Sequence, residues 1–270
     1  MSLSWRDRVV VHLAPHALRL ERHRGGLRSG IVASATKPVA GSTESAPWAP
    51  ATDTLATVLQ SPRWRGADLD VRLSGHFARW MLLPWNAAIA TDAERIAYAQ
   101  VEFESVHGER ARSWRLRIAD TRPGEASPVC AVDESLMARL EEIARVAGVR
   151  VVGTAPAFGV ALDRHRHALV ANSAAFAFVE SGRCTLAIVE RGRWRHLGSD
   201  RIRDRAADVL AAQLAHAEAL GAGTAEPRRL HVVFDEADEA LPGRIGAWDV
   251  VSAGAAPARS LFARLAGSRP

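Results

Sequence analysis

His165 and His167 are the clearest candidate pair of metal ligands in this sequence. Alternate residues of a strand share one face, so both imidazoles could bind the same cation. Arg164 and Arg166 flank the pair and oppose a cation, and no third ligand lies near it in sequence. We therefore interpret the pair as part of a solvated loop and predict no metal site.

An acidic run at residues 235–239, Asp-Glu-Ala-Asp-Glu, follows an apolar strand-like segment and resembles a helicase motif. A nucleotide-hydrolysing motor also needs a Gly-x-x-x-x-Gly-Lys-Ser/Thr loop, whose lysine neutralises the phosphates. Lys37 is the only lysine of the chain, and it stands in no such loop. We therefore interpret the acidic run as capping residues at a strand-to-helix turn.

Catalysis by a side-chain nucleophile has no recognisable motif in this sequence. It contains neither a Gly-x-Ser-x-Gly elbow nor a Gly-x-Gly-x-x-Gly dinucleotide fingerprint. The remaining notable histidines lack a neighbouring nucleophile or orienting carboxylate: His12, His16, His76, His107 and His216. Cys130 and Cys184 lie in apolar strand-like runs, which predicts buried, reduced thiols rather than a disulfide. The sequence therefore predicts a protein that is not an enzyme and has no metal or cofactor.

The charge of the chain is basic, with 35 lysine and arginine residues against 30 acidic residues and a pI near 10.3. The basic residues are almost all arginines, and they are spread along the chain. A formal charge of +5 without a nucleic-acid-binding motif argues against a DNA- or RNA-binding protein. Attraction to the acidic inner surface of a membrane is an equally weak alternative.

The start of the chain lacks the basic, apolar and small-residue order of a secretory signal. No apolar stretch approaches the roughly 18–20 residues that a membrane span requires. These features predict a cytoplasmic protein, and the basic charge is compatible with a place at the inner face of the inner membrane.

Hydrophobic periodicity and turn residues predict a series of elements in the first half of the chain. Three strands at 8–14, 17–24 and 27–39 form a β-meander. A helix at 53–60, with Thr52 or Asp53 as its N-cap, precedes a hairpin of strands 68–73 and 76–83. The later elements are a helix at 91–107 with a capping box of Thr91 and Glu94, strands at 113–119 and 128–132, a helix at 133–147 and a strand at 149–152.

The second half of the chain repeats this order after a charged stretch at 163–167, which is the predicted boundary. Its predicted elements are strands at 174–179, 184–189 and 194–197, a helix at 201–220, strands at 230–234 and 247–251, and a helix at 258–265. Each half thus has three antiparallel strands followed by helix and strand. This repetition predicts a duplicated α/β unit.

The element order, with the segments at 71–77 (VRLSGHF) and 82–85 (LLPW), resembles the actin-like assembly proteins of type IV pili (PilM) and the cytoplasmic part of the type II secretion L protein. In that family, a strand with a Leu-Pro step precedes an acid-rich helix like that at 91–108. The helix at 135–147 with the strand that follows is similar too. The resemblance covers residues 8–200 and implies an actin-like ATPase fold of two duplicated ribonuclease-H-like lobes, 1–160 and a shortened 161–270.

The resemblance further implies two hairpin turns of the type Asp-x-Gly-x-x-x-x-Lys that hold nucleotide phosphates. Glycine lets backbone N–H groups approach the phosphates, and the acid positions magnesium. In the first turn, His12 replaces the acid, Ala14 replaces the glycine, and Pro15 lacks a backbone N–H. In the second turn, Glu180 and Gly182 remain but bulky Arg183 follows them. We expect both turns to be degenerate and no cofactor to bind.

These departures predict a non-catalytic cytoplasmic scaffold of a pilus or type II secretion-like assembly, which binds a membrane-anchored inner-membrane partner. One alternative is a magnesium-ATP-binding switch, in which Arg19 or Arg183 replaces the phosphate lysine and Glu180 positions the metal. A second alternative is an unrelated α/β protein that binds nucleic acid. Peripheral membrane association and a homodimer stay open.

Overall fold

A computed structural model describes residues 6–26, 30–41, 46–170, 174–224, 226–235 and 240–252. The contacts within it divide the chain into two compact units. Among the described residues, the first unit contains those up to Ala78 together with Asp133–Ala157. The second contains Arg79–Val132 and the residues from Phe158 onward, so the segment 79–132 groups with the C-terminal half of the chain.

The described chain contains both strands and helices, with up to three strands in succession. In order they are β1 (Arg8–Leu13), β2 (Ala17–His23), β3 (Ile31–Pro38), α1 (Ala49–Leu59), β4 (Asp68–Leu73), β5 (Ala78–Leu83), α2 (Asp92–His107), β6 (Trp114–Ile118), β7 (Ser127–Asp133), α3 (Glu134–Ala147), β8 (Arg150–Pro156), α4 (Ala157–Val170), β9 (Ala174–Glu180), β10 (Arg183–Glu190), β11 (Arg193–Arg201), α5 (Ala206–Ala219), β12 (Arg229–Phe234), β13 (Arg244–Ile245) and β14 (Trp248–Ser252). Short 3-10 helices span Pro62–Trp64 and Glu109–Ser113.

The first unit is built on a five-stranded sheet of order β3-β2-β1-β4-β8. Strands β1, β2 and β3 are antiparallel neighbours, whereas β4 and β8 run parallel to β1. One face is apolar, since alternate residues of β1, Val9, Val11 and Leu13, are fully buried. Helices α1 and α3 contact each other and the sheet, and α3 contributes an apolar face that removes further apolar surface from water.

The opposite face of this sheet carries charged groups. Asp70 of β4 is only 5% exposed, and its carboxylate accepts a 2.5 Å hydrogen bond from Arg72 and lies 3.7 Å from Arg8. Its neighbour on β8 is Gly153, where an added Cβ would lie 3.2 Å from Oδ1 of Asp70. Glycine at this position therefore leaves room for a buried carboxylate.

The second unit has a six-stranded sheet of order β11-β10-β9-β12-β14-β13. Its first five strands repeat the arrangement of the first sheet, because β9, β10 and β11 are antiparallel neighbours and β12 and β14 follow parallel to β9. Helix α5 packs on one face around fully buried Trp248, whose Nε1–H donates to Glu218 at 2.9 Å. The predicted duplication of the α/β unit is thus confirmed.

A three-stranded sheet of order β5-β7-β6, with α2 beside it, also belongs to the second unit apart from the end residues of β5 and β7. The capping box is confirmed, since the Glu94 N–H donates to Thr91 Oγ1 and the Glu94 carboxylate accepts from the Thr91 N–H. Phe103 and Ala99 of α2 are fully buried with apolar residues of the strands. This small layer therefore has an apolar core of its own.

Several sequence-based predictions of local structure are wrong. Strands β4 and β5 do not form a hairpin, because they belong to different sheets. Helix α1 begins before Thr52 and Asp53, and its N-cap is Trp48, which makes no side-chain capping bond. The short strand β13 was not predicted, and the predicted helix at 258–265 lies outside the described residues.

Candidate functional site

The first predicted phosphate turn connects β1 to β2 and is closed by a bond within the backbone. The Ala14 N–H donates to the Ala17 carbonyl at 3.1 Å. Pro15, the next residue, has no N–H to donate. Two of the four backbone positions from 14 to 17 therefore offer no N–H group to a phosphate.

The same turn is attached to neighbouring strands through its carbonyl groups. The Leu13 carbonyl accepts from the Ser74 N–H at 3.0 Å, and the His16 carbonyl accepts from the Val39 N–H at 2.9 Å. Half-buried His12 stands at the end of β1, at the position where a magnesium-positioning acid was expected. The turn is thus fixed by hydrogen bonds, and its degeneracy as a phosphate site stays a prediction.

The second predicted phosphate turn is a two-residue connection, Ser181-Gly182, between β9 and β10. Gly182 has φ +74°, a conformation that residues with a side chain rarely adopt, and its carbonyl accepts from the Ile202 N–H at 3.0 Å. Glu180 and Arg183 stand opposite each other on either side of the turn, and they are only 6% and 9% exposed. The turn therefore places a buried carboxylate beside a buried guanidinium.

Strand register shows which face of the sheet carries these side chains. Arg183 is the cross-strand partner of both Glu180 and Arg201, and cross-strand partners point to the same face. The next residue, Cys184, belongs to the apolar core formed with α5. The three charged side chains therefore lie on the face opposite α5.

Two further arginines of the second unit are linked to this group electrostatically: Arg79 interacts with Arg183 and Arg201, and Arg110 interacts with Arg79. Arg79 comes from β5, and Arg110 from the 3-10 helix that follows α2. Burial, followed by repulsion from Arg183, Arg110 and Arg201, lowers the pKa of Arg79 to about 10. We call Arg79, Arg110, Arg183 and Arg201 the arginine cluster. Arg183, Arg201 and Glu180 share a sheet face, and with Arg79 and Arg110 they form a positively charged group.

The pKa values of neighbouring groups are affected by this site. Burial lowers the pKa of Arg183, and the carboxylate of Glu180 opposes that effect. Burial also lowers the pKa of His107, as do Arg79 and Arg110, so its imidazole is neutral at pH 7. The Nε–H of Arg183 has no hydrogen-bond partner among the described residues. A buried guanidinium donor in a positive environment is a binding feature for an anion.

A cavity of about 780 Å³ lies between β11 and α5, near His196 and Gln213. Gln213 is 4% exposed and donates to Asp200 at 2.8 Å, whereas its Oε1 has no partner among the described residues. Burial lowers the pKa of His196. The His196 side chain shares its sheet face with Cys184 and not with Arg183, but Arg201 lines the cavity, so the cavity adjoins the arginine cluster at that residue.

The interpretation of His165 and His167 as a solvated loop is wrong, because both lie within α4. His165 Nδ1 bonds the Ala161 carbonyl at 2.8 Å, and its ring packs 5.4 Å from that of Phe176. His167 is exposed. His165 therefore makes structural contacts within the fold, and the charged stretch at 163–167 is helical.

The predicted burial of Cys130 and Cys184 as free thiols is confirmed. Burial raises the pKa of the Cys130 thiol to about 12, which keeps it protonated. Within the described part of the chain, no group of three or more His, Cys, Asp or Glu side chains could hold a metal ion. Of the acidic run, only Asp235 is described, and the predicted capping by 236–239 lies outside the described residues.

The arginine cluster was not predicted from the sequence, apart from Arg183. Sheet register brings Arg183 and Arg201 together, whereas Arg79 and Arg110 come from distant segments of the same unit. The available signal was Arg79, a single charge within the otherwise apolar segment 77–83. Charged residues are rarely buried without a partner, so a lone charge in an apolar strand-like run indicates a specific interaction.

No family model and no curated protein sequence matches the chain. Solved structures do match. A Bacteroides thetaiotaomicron protein with an actin-like ATPase fold and unknown function superposes with a TM-score of 0.58 at 12% identity, over 85% of this chain and 82% of that one. The cytoplasmic domain of EpsL, an inner-membrane component of the Vibrio cholerae type II secretion system, gives 0.54 at 12% identity, over 92% and 90%.

The PilM–PilN type IV pilus biogenesis complex contributes a third similar structure, with a TM-score of 0.54 at 16% identity over 81% of this chain and 69% of that one. Identities of this size establish a fold and nothing finer. The two sheets with repeated strand order agree with that result. The chain therefore has the actin-like ATPase fold, as its resemblance to the pilus and type II secretion assembly proteins implied.

Proposed function

We propose that the protein is a non-catalytic scaffold of a pilus or type II secretion-like assembly and that it binds a membrane-anchored partner. The structures of the EpsL cytoplasmic domain and of the PilM–PilN complex support this proposal, because both are similar over more than four-fifths of this chain. Fold similarity limits the class of function, and the site itself must carry the rest.

The observation that carries the proposal is the first turn. Phosphate binding in this fold depends on backbone N–H groups and on a carboxylate that holds magnesium. Here His12 supplies no carboxylate, Pro15 supplies no N–H, and the Ala14 N–H is bonded within the turn. A protein with this turn is expected to act through its surface rather than through ATP hydrolysis.

The proposed place of action is the cytoplasmic face of the inner membrane. In the described part of the chain, no helix is both long and apolar enough to cross a membrane. Recruitment would then depend on the partner's anchor, with weak attraction of arginine side chains to acidic lipids as an aid.

The two alternative functions have less support. The actin-like fold excludes an unrelated α/β protein, and exposed arginines such as Arg112 and Arg145 are paired with carboxylates, which reduces the charge available to nucleic acid. A magnesium-ATP switch would have to use Glu180, which lies beside Arg183 rather than beside an open phosphate loop.

In-cell crosslinking tests the scaffold proposal. The full chain, tagged and expressed at its native level in its own host, should crosslink to a protein with a membrane anchor that belongs to a pilus or secretion assembly. A tagged cytoplasmic protein of similar size and charge is the control. Crosslinks that involve soluble proteins alone, or the same proteins as the control, would contradict the proposal.

A further inference from the structure

The cavity between β11 and α5 exists because small residues line it. The face of β11 toward α5 carries His196, Gly198 and Asp200, since their cross-strand partners on β10 belong to the apolar core formed with α5. Gly198 has no side chain, and an added Cβ there would lie 3.1 Å from Nε2 of His196. Ala212 of α5, which also lines the cavity, has only a methyl group. The space of about 780 Å³ is large enough to accept a ligand group.

The strand beside the cavity has an open edge. Among the described strands, β11 pairs with β10 alone. The Ile202 N–H donates to the Gly182 carbonyl at 3.0 Å, just beyond the end of this pairing. Because bonded and non-bonded pairs alternate along antiparallel strands, the backbone N–H and carbonyl groups of Ser199 and Arg201 point away from β10. These groups have no hydrogen-bond partner among the described residues.

The cavity reaches this open edge. Ser199 and Arg201 line it, although the strand register places their side chains on the sheet face opposite α5. The cavity therefore extends around the edge of β11 to residues whose backbone groups are open. A groove between an edge strand and a helix is a common binding mode for extended peptides, because the strand supplies main-chain hydrogen bonds and the groove takes alternate side chains.

The lining of the groove indicates the chemistry of its occupant. Val209 and Ala212 give the helix side an apolar surface. Arg203, just after β11, is exposed, lines the cavity and forms no ion pair with a described residue. Asp200, in contrast, accepts a 2.8 Å hydrogen bond from Gln213. An apolar side chain with a carboxylate nearby would match this combination.

We propose that an extended segment of a protein partner adds to the open edge of β11, inserts an apolar side chain between β11 and α5 and places a carboxylate at Arg203. Binding of such a segment does not depend on the proposed function. Only the assignment of the segment to the membrane-anchored partner rests on it.

Peptide selection tests this inference. The probe is a phage-displayed library of random linear dodecapeptides, selected on the immobilised full chain and counter-selected on Ala212→Phe. The most enriched peptide is then synthesised with a fluorescein label and titrated by fluorescence anisotropy. We expect enriched sequences with alternating apolar or β-branched residues and an aspartate or glutamate.

A cavity-filling pair of variants tests the groove. Ala212 and Ala211 are neighbouring exposed residues of α5, and only Ala212 lines the cavity. Ala212→Phe should weaken peptide binding about tenfold or more, because its ring occupies the space for the inserted side chain. Ala211→Phe is the matched control and should leave the affinity unchanged.

A second pair tests strand addition. Ser199→Pro removes one outward N–H, which an edge strand tolerates, and should weaken binding about threefold or more. Ser199→Ala keeps that N–H while it also loses the 2.7 Å bond to Thr185, so it should bind as the wild type does. Arg203→Gln should weaken binding about two- to fivefold, whereas Arg205→Gln, an exposed arginine outside the cavity lining, should not.

Three outcomes would overturn the inference: no enriched peptide that binds the chain, equal affinities of Ser199→Pro and Ser199→Ala, or a dimer of the free chain that Ser199→Pro dissociates. The last result, measured by sedimentation, would assign the edge to a second copy. Circular dichroism of each variant separates lost binding from lost folding. Failure here with positive crosslinking would overturn only the groove, and peptide binding with negative crosslinking would overturn only the scaffold function.

Discussion

Replacing Glu180 by glutamine is expected to lower the free energy of unfolding by about 3–5 kcal/mol, because a buried guanidinium then loses its compensating charge. Glu180 is the carboxylate that faces Arg183 across the turn, and both side chains are almost completely buried. Arg201 lies on the same sheet face and repels Arg183. Urea denaturation of the wild type and the variant measures this loss.

The exposed ion pair between Glu109 and Arg112 offers the control, since Glu109→Gln in the same unit should cost less than about 1 kcal/mol. Adding Arg183→Met to Glu180→Gln should recover part of the loss, because a neutral pair replaces a lone buried charge. If Glu180→Gln were as stable as Glu109→Gln, the buried Arg183 would not depend on the charge of Glu180, and the prediction would be contradicted.

A second large effect is expected at Asp70 in the first unit. Asp70→Ala should destabilise the protein by about 3–5 kcal/mol, because it leaves the partly buried Arg72 without its 2.5 Å carboxylate partner. Burial already lowers the pKa of Arg72, which shows that its environment disfavours an uncompensated charge. Thermal and urea denaturation should both report the loss.

The matched control is Asp53→Ala, which removes an exposed ion pair with Arg139 at 2.9 Å in the same unit. Its expected cost is less than about 1 kcal/mol. Equal costs for the two substitutions would mean that the charged face of the first sheet is as hydrated as the surface. Asp70 would then contribute no more to stability than a surface carboxylate does.

The fold could be predicted from the sequence to the extent that local pattern determines it. Alternating apolar residues gave the strands, and Thr91 with Glu94 gave the start of α2, because a capping box is a local set of hydrogen bonds. The repeated order of three strands, helix and strand gave the duplication. These features depend on residues close together in the chain.

Strand pairing was harder, since it depends on distant residues. The predicted hairpin of β4 and β5 relied on Ser74-Gly75 as a turn, but β4 pairs with β1 and β8 while β5 joins β7 in another sheet. The prediction for the segment around His165 was wrong for a different reason. Its alternating arginines and histidines resemble a solvated loop, whereas the helix buries one of them against Phe176.

The candidate site was predicted in part. The sequence indicated both turns and the bulk of Arg183, because each turn is a short motif. The arginine cluster also includes Arg79 and Arg110, which belong to β5 and to the 3-10 helix after α2. Long-range convergence of this kind leaves little trace in a single sequence.

The central claim, that this actin-like chain does not use a nucleotide, is tested most directly by calorimetric titration with ATP and magnesium. No binding heat and no thermal stabilisation are expected at about 1 mM ATP. A dissociation constant near 1 µM would instead stabilise the fold by about 4 kcal/mol at that concentration. Such a result would contradict the scaffold proposal and make Glu180 the metal-positioning residue of a switch.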